Sequence, residues 1–438
     1  NYDPVSIALI QRLKRYGYPY ALLVGDLREA LKLYDLGFKV LFGDIDRPQT
    51  YQLAQINNAA MVAATGTDVV NTNVAFTVRE LCTDVPVVVT ANSADAVDIL
   101  GLAGSTKVIQ LAEIMGQALA RRISGVDARA HVVGEVQGIL IAEATAAGTP
   151  LVGKTLAQMK LRQKAGVTVI GFWRRGQFEI ATANTRIESD SVMVLAGSAE
   201  QLHAYDELFW IYHLSSDPVV IIGAGRVGRA TASALNEREV DYRIVESKPE
   251  RIQNEKYIHG SAADLATLEK AGIRGTPAVV ITTHDDDTNV YLTLYCRKLR
   301  PDVQIISRAT LERNVSTLHR AGADFVLSYA SMGATMIFNV LRKTDILVIA
   351  EGLHVAEMEV PKGLVGKTLA EAAIPRDTQC NVIALRSNGA LTMNPLPEVR
   401  LSADSQMLLI CTTDGEQRFI KRYGDGSARN GRANSRRG

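Results

Sequence analysis

Gly223, Gly225 and Gly228, in the string Gly-Ala-Gly-Arg-Val-Gly, are spaced for one kind of chemistry, the cradling of a diphosphate by a backbone turn and the start of a helix. The first glycine permits the tight turn. The second lets backbone approach the anion, and the third lets helix and strand pack closely. Arg226 and Val227 open that helix, whose free amides and partial positive charge face the phosphates. Glu246, at the end of the next apolar run with Ser247 beside it, is placed to accept hydrogen bonds from a ribose diol. An acid there disfavours a 2′-phosphate, so NAD, ADP, ATP or AMP is favoured over NADP. Three further segments reach the same edge. Gly260, Ser261 and Ala262 form a small turn on the adenine side, Thr282, Thr283 and His284 follow the fourth strand, and Arg308 follows the fifth with a guanidinium for phosphate. The acidic run Asp285 to Asp287 invites a metal, but no partnering ligand cluster accompanies it. The expectation is that Asp287 or Thr288 caps a helix, and no metal site is assigned.

These residues need a parallel sheet to bring them together, and the sequence supplies its rhythm. Val219 to Ile222, Tyr242 to Glu246, Ala278 to Thr282, Val303 to Ser307 and Phe325 to Leu327 are short apolar runs. Helix-length segments such as Arg226 to Asn236 separate them, which is the alternation of an α/β fold. Beyond Lys343 the pattern changes to short strands and turns, Ile346 to Val360 and Asn381 to Met393, with a helix at Thr413 to Arg422.

The whole plan occurs twice. Leu-Val-Gly-Lys-Thr-Leu-Ala runs from Leu151 to Ala157 and returns unchanged from Leu364 to Ala370, and Met115-Gly116 returns as Met332-Gly333. A period of roughly 215 residues is far longer than the ~20–50 of solenoids, so the repeated unit is a module with its own core. The expected fold is two Rossmann-like, doubly wound parallel-sheet domains, at 1–125 and 217–343. Each is followed by a small α+β domain, at 126–214 and 344–423. The stretch 424–438 is almost free of apolar residues and is expected to be disordered.

The two copies differ where the chemistry lies. Opposite Gly223, Gly225 and Gly228 stand Asn1, Asp3 and Ser6. Val24 stands opposite Glu246, and Ala91 opposite Arg308. An aspartate aimed at a phosphate repels it, so the first copy is expected not to bind a nucleotide in the same pose. It also lacks a counterpart of Val219 to Ile222. A doubly wound sheet needs its central strand, so the polypeptide is expected to continue upstream of Asn1.

Composition excludes several classes. A net charge of +1 gives no global attraction for nucleic acid or an acidic lipid surface, and no apolar run approaches the ~18 residues of a membrane helix. Cys82, Cys296, Cys380 and Cys411 have no metal-site spacing and read as buried free thiols. No Ser/His/Asp or Cys/His arrangement stands in a persuasive context, and His203, His213, His319 and His354 are isolated. A dehydrogenase pairs its cofactor domain with a substrate domain that bears an acid-base residue, whereas here the same small domain follows each sheet. The pattern points away from an enzyme.

Together the residues resemble the RCK domains (regulator of potassium conductance), also called TrkA-N plus TrkA-C, over nearly the whole chain, twice. The matching strings are VVIIGAGRVG at Val219 to Gly228, RIVESKPER at Arg243 to Arg251, GSAADLATLEKAGI at Gly260 to Ile273 and VITTHDDDTN at Val280 to Asn289. ISRATLERN and AGADFVLS, between Ile306 and Ser328, also fit, and Leu151 to Ala157 resembles the start of TrkA-C. The resemblance implies a ligand-sensing module of a potassium channel, regulated by nucleotides such as NAD(H), ADP and ATP or by divalent cations such as Ca2+. It implies a homotetramer with an eight-domain ring on the cytoplasmic side of the cell membrane, and a pore upstream on the same polypeptide. The helices at about Gln110 to Ser124 and Ser328 to Lys343 resemble the crossing helices that pair such domains, with Met-Gly allowing close approach. A peripheral subunit of a Trk-type transporter is the alternative, and an NAD-dependent oxidoreductase a remoter one. No nucleic-acid partner is implied.

Overall fold

A computed structural model describes residues 2–123, 129–136, 138–174, 177–189, 191–209, 217–342, 348–350, 353–387, 390–393 and 395–423. The stretch 424–438 expected to be disordered lies outside them, as does His213. The chain alternates between two compact units and changes unit three times, one unit being residues 1–120 and 217–345, the other residues 121–216 and 346–438.

In the first unit, the second copy is a six-stranded parallel sheet. Its strands are β6 (Val219–Ile222), β7 (Tyr242–Glu246), β8 (Tyr257–His259), β9 (Ala278–Ile281), β10 (Gln304–Ala309) and β11 (Phe325–Ser328), in the order β8-β7-β6-β9-β10-β11. The order reverses at β6, so the crevice beyond the carboxyl ends of β6 and its neighbours is where such sheets take ligands. Residues of β6, β9 and β10 are buried on both faces and form one core with Leu268, Leu292 and Leu318 from the covering helices. This explains the unbroken β-branched runs in the sequence.

The first copy repeats these strands with a gap. β1 (Leu22–Val24) pairs only with β2 (Val40–Phe42), while β3 (Val62–Ala64), β4 (Val87–Thr90) and β5 (Lys107–Ile109) form a separate three-stranded sheet. The division falls where the second copy has β6. What remains is kept in detail. Arg79, in helix α2 (Asp68–Leu81), donates to the carbonyls of Val85 and Gly104, as Arg297 does to those of Val303 and Gly322.

Each copy lends a helix to the other. Helix α1 (Pro4–Arg15) follows the first copy's degenerate loop, and α4 (Leu111–Arg121) follows its last strand, with the short α3 (Ala96–Leu102) before that strand. In the second copy, α5 (Arg226–Glu237) follows the glycine loop, α6 (Asp286–Leu299) follows β9, and α7 (Tyr329–Arg342) follows β11. Val5, Leu9 and Leu13 of α1 share a core with Ala334, Ile337 and Phe338 of α7. A methyl group built on Gly333 would lie 2.8 Å from Val5, and one on Gly116 would lie 2.5 Å from Ala230 of α5. The Met-Gly steps are therefore crossing points. At each, the last helix of one copy rests on the loop helix of the other.

The second unit holds two five-stranded antiparallel sheets of identical order. His131–Val136, Ile139–Thr145, Val192–Gly197, Thr168–Arg174 and Gln177–Ile180 lie side by side in one. Val348–Ala350, Leu353–Glu359, Ser405–Thr412, Cys380–Ser387 and Ala390–Met393 do so in the other. The seven-residue repeat is a helix start. Thr155 and Thr368 accept from the amides of Gln158 and Glu371, whose side chains return the bond. Gly153 and Gly366 take φ of +83° and +84°, where a side chain is strained. The Gly-Lys-Thr-Leu string is thus a turn and a capping box, not a phosphate loop. The cysteines are free thiols. Three are buried as expected, but Cys82, at the end of α2, is partly exposed.

Candidate functional site

The carboxyl edge of the second sheet opens on a cavity of about 800 Å³. Every residue assigned above to a nucleotide lines it except Gly228. The three glycines divide the work. Gly223 turns the chain with φ of +100°, and Thr282 Oγ1 donates to its carbonyl at 3.0 Å. Gly228 packs beneath the turn, where a methyl group would stand 2.0 Å from the Gly223 carbonyl oxygen. Gly225 has ordinary φ of −69°, and a methyl group there would meet nothing within 4 Å. Packing does not demand a glycine at that position, and its absence of a side chain leaves the backbone open to close approach from the cavity.

Gly225 is also the N-cap of α5, and no side chain among the described residues caps that helix. Its first-turn amides are left for an anion. Arg308 adds a guanidinium that is 7% exposed, stacked over the Tyr329 ring at 4.6 Å. Its Nη2 donates to His284 Nδ1 at 3.2 Å, while its Nε is buried and has no hydrogen-bond partner among the described residues. Burial lowers the Arg308 pKa, yet a guanidinium remains charged. Burial, then the charges of Arg308 and Arg226, push His284 below its ordinary value, so it stays neutral and accepts. A buried donor with no acceptor, beside uncapped amides, is suited to phosphate oxygens.

Glu246 closes the other end. Its Oε2 accepts from the Ala224 amide at 2.8 Å and its Oε1 from the Lys248 amide at 2.9 Å, with Arg251 3.7 Å away. Burial pushes this carboxyl up, but the two amide bonds and the Arg251 charge outweigh it, and the net pKa is lowered. Glu246 is thus an ionised acceptor that also ties the strand end to the glycine loop. Ser261 and Ala262 border the same space, and Tyr291 of α6 adds an aromatic face that the sequence did not mark.

The acidic run is structural. The cap of α6 is Asp285, not Asp287 or Thr288: its Oδ1 accepts from the Thr288 amide at 2.7 Å. Asp286 holds the Thr310 and Leu311 amides and the Asn314 side chain. Among the described residues, no group of three or more His, Cys, Asp or Glu side chains is arranged to hold a metal.

The first copy fills the same position with its own anion. Asp3 caps α1, and its Oδ1 accepts from the Val5 and Ser6 amides at 2.8 and 3.2 Å, while Thr65 donates to Oδ2. Val24 occupies the place of Glu246, since Gly43 donates to its carbonyl as Gly260 does to that of Glu246. The counterpart of Arg308 is Thr90, one residue before the expected Ala91. Asn71 donates to the Thr90 carbonyl as Asn289 does to that of Arg308. Gly43 and Gly260 are 217 residues apart and Asn71 and Asn289 are 218 apart, so the extra residue of the second copy lies between these points and moves the counterpart of Arg308 from Ala91 to Thr90. One wall of the second copy's cavity belongs to the first copy, at Ala112 of α4, which no spacing rule marked.

Comparison with known proteins agrees with this arrangement. The TrkA-N domain matches residues 2–111 and again 219–329, and the TrkA-C domain matches 140–209 and 355–424. The GsuK channel bound to NAD is 32% identical, with a TM-score of 0.72 over 96% of this chain and 77% of that one. The GsuK RCK domain gives the same identity and TM-score over 96% of this chain and 93% of its own. Among curated relatives, the Trk system potassium uptake protein TrkA homolog of Archaeoglobus fulgidus is 25% identical over 61% of this chain and 62% of its own length. Potassium channel protein 1 of Methanocaldococcus jannaschii is 24% identical over 47% of this chain and 66% of its own. The chain thus spans less than two thirds of those two relatives. Two domain types matched in alternation, each twice, on sheets of matching order, place the chain in the TrkA-N/TrkA-C (RCK) family as a tandem pair of RCK units.

Proposed function

We propose that the second copy is a regulatory nucleotide site for NAD or a related adenine nucleotide, and that the first copy is its unliganded counterpart. The observation that carries this reading is the buried Nε of Arg308, without a hydrogen-bond partner among the described residues, in one cavity with the ionised Glu246 and with the start of α5, which no described side chain caps. The likeness to a channel bound to NAD supports it. Gly223, Gly225 and the α5 amides take the pyrophosphate, Arg308 a phosphate oxygen, and Glu246 a ribose diol. The two copies share α-helices across their boundary, so closure on the ligand moves the α4–α5 crossing.

In the full protein we take this region to form a homotetrameric ring on the cytoplasmic side of the cell membrane, attached to a potassium-conducting pore. The GsuK likeness, over nearly the whole chain, favours a pore upstream on the same polypeptide. The Archaeoglobus relative keeps a separate transporter subunit as the second reading. No helix of the described residues is long and apolar enough to cross a membrane. The ligand is read by position and not turned over, so NADH mixed with electron acceptors should give a flat nicotinamide absorbance.

Calorimetric titration tests the site. NAD and ADP should bind the wild-type chain once per protomer, NADP more weakly, and Gly225→Asp should bind none of them. Unchanged NAD binding in Gly225→Asp would sink the assignment.

A further inference from the structure

Arg226 stands at the mouth of the cavity, but its guanidinium is engaged elsewhere. Its Nη1 donates to the Asn92 carbonyl at 3.3 Å and also to Asn92 Oδ1, both in the first copy. Asn92 is held for that purpose. Its amide donates to Asp68 Oδ1 at 2.7 Å, and its Nδ2 donates to the Gly66 carbonyl at 3.1 Å, which turns Oδ1 toward Arg226. The second copy keeps the same backbone bond, from the Thr310 amide to Asp286 Oδ1 at 2.7 Å, but carries a hydroxyl where the first copy offers a carboxamide. On its other side Arg226 lines the cavity with Arg308 and Tyr329. One guanidinium thus lies within reach of two kinds of acceptor, a fixed carboxamide in one copy and any phosphate entering the other.

We propose that Asn92 is a competing acceptor for Arg226, so that a nucleotide phosphate in the second copy draws Arg226 away and releases the Gly66–Asp68 and Asn92 loops of the first. This gives the abandoned first pocket a role as the reader of the second. It rests on the nucleotide reading above. A ligand shifts an equilibrium only through differential affinity, and here the difference is one charge-assisted hydrogen bond exchanged for a stronger one to a doubly anionic group. By the same linkage, removing the Asn92 acceptor while Arg226 is kept must tighten nucleotide binding.

The test is calorimetry with NAD on the purified chain. Asn92→Ala should bind NAD about 5- to 10-fold more tightly than wild type, the scale of one ordinary intramolecular hydrogen bond, since the contact is solvent-exposed. Asn92→Asp, which strengthens the competing acceptor, should bind more weakly. Arg226→Gln should bind more weakly than wild type, and adding Asn92→Ala to it should change nothing further. Hydrogen exchange at the Asn92 amide should quicken on NAD addition in wild type and not in Gly225→Asp. Equal or weaker binding by Asn92→Ala, or a gain that persists without Arg226, overturns the proposal while leaving the nucleotide site intact. Absence of NAD binding in wild type overturns both.

Discussion

Gly225 and Gly228 lie three residues apart in one turn and answer to different demands, which a measurement can separate. A methyl group at Gly228 would collide with backbone, so Gly228→Ala should lower unfolding stability by about 1–3 kcal/mol, as overpacking does, in the absence of any ligand. Gly225→Ala should leave the denaturant midpoint of the free protein unchanged and weaken NAD binding instead. The spacing alone assigned each glycine its task; which atoms a side chain would meet at each position was not legible in the sequence, because it depends on the folded surroundings. Glu246 carries two tasks as well. Glu246→Ala should weaken NAD binding by about 1.5–3 kcal/mol. Its native pKa is lowered, so its contribution to stability is complete above the ordinary carboxyl value near 4.5 and is lost as pH falls through the lower native value. The stability gap between wild type and Glu246→Gln should therefore be constant above about pH 5.5 and close in more acidic solution, a trend that chemical denaturation at a series of pH values would read.

Among the elements, the paired helices α1 and α5 show what the duplication has become. Both begin at a loop beyond the sheet edge, yet α5 leaves its first amides open and α1 covers them with Asp3. Asp3→Ala should cost α1 about 1 kcal/mol in stability, the usual worth of a cap, and should create no second nucleotide site. Val24 and Thr90 would still lack the carboxylate and the guanidinium, and a calorimetric stoichiometry of one should persist. The strand-helix alternation that gives the parallel sheet could be read from β-branched runs and glycine turns. That the Met-Gly steps allow close helix crossing was expected from the family resemblance; which helix each step meets was not, because the packing of Gly116 on Ala230 and of Gly333 on Val5 is long-range, and local periodicity is blind to it. The Asp285 cap was missed by two residues for a related reason. Three consecutive aspartates satisfy a capping rule equally well, and only tertiary partners assign Asp286 to the Thr310 loop.

At the scale of the whole molecule, the proposed function requires that binding at one sheet edge become a mechanical signal. In the first copy, Val69 and Phe76 of α2 are exposed, as are Ile99 and Leu102 of α3, and Tyr291 and Leu294 are exposed on the corresponding helix α6 of the second. Apolar side chains presented at matching helices of both copies suit an assembly in which copies abut in a ring. Phe76→Asp with Leu294→Asp should lower the mass of the purified assembly measured by light scattering, while NAD still binds each protomer. In a tetramer, a preference of only ~1.4 kcal/mol per site for the closed pocket sums over four sites to about 5.5 kcal/mol, enough to take a two-state pore from mostly shut to mostly open. Because α4 crosses α5 at Gly116, Gly116→Leu should force that crossing apart and weaken the transmission more than the binding. Single-channel recording of the full-length protein, with NAD added to the cytoplasmic face, is the direct measurement. Open probability should respond to NAD in wild type, fail to respond in Gly225→Asp, and respond weakly in Gly116→Leu at saturating NAD. A pore indifferent to NAD while calorimetry records binding would make the nucleotide a structural ligand and place the gating signal elsewhere.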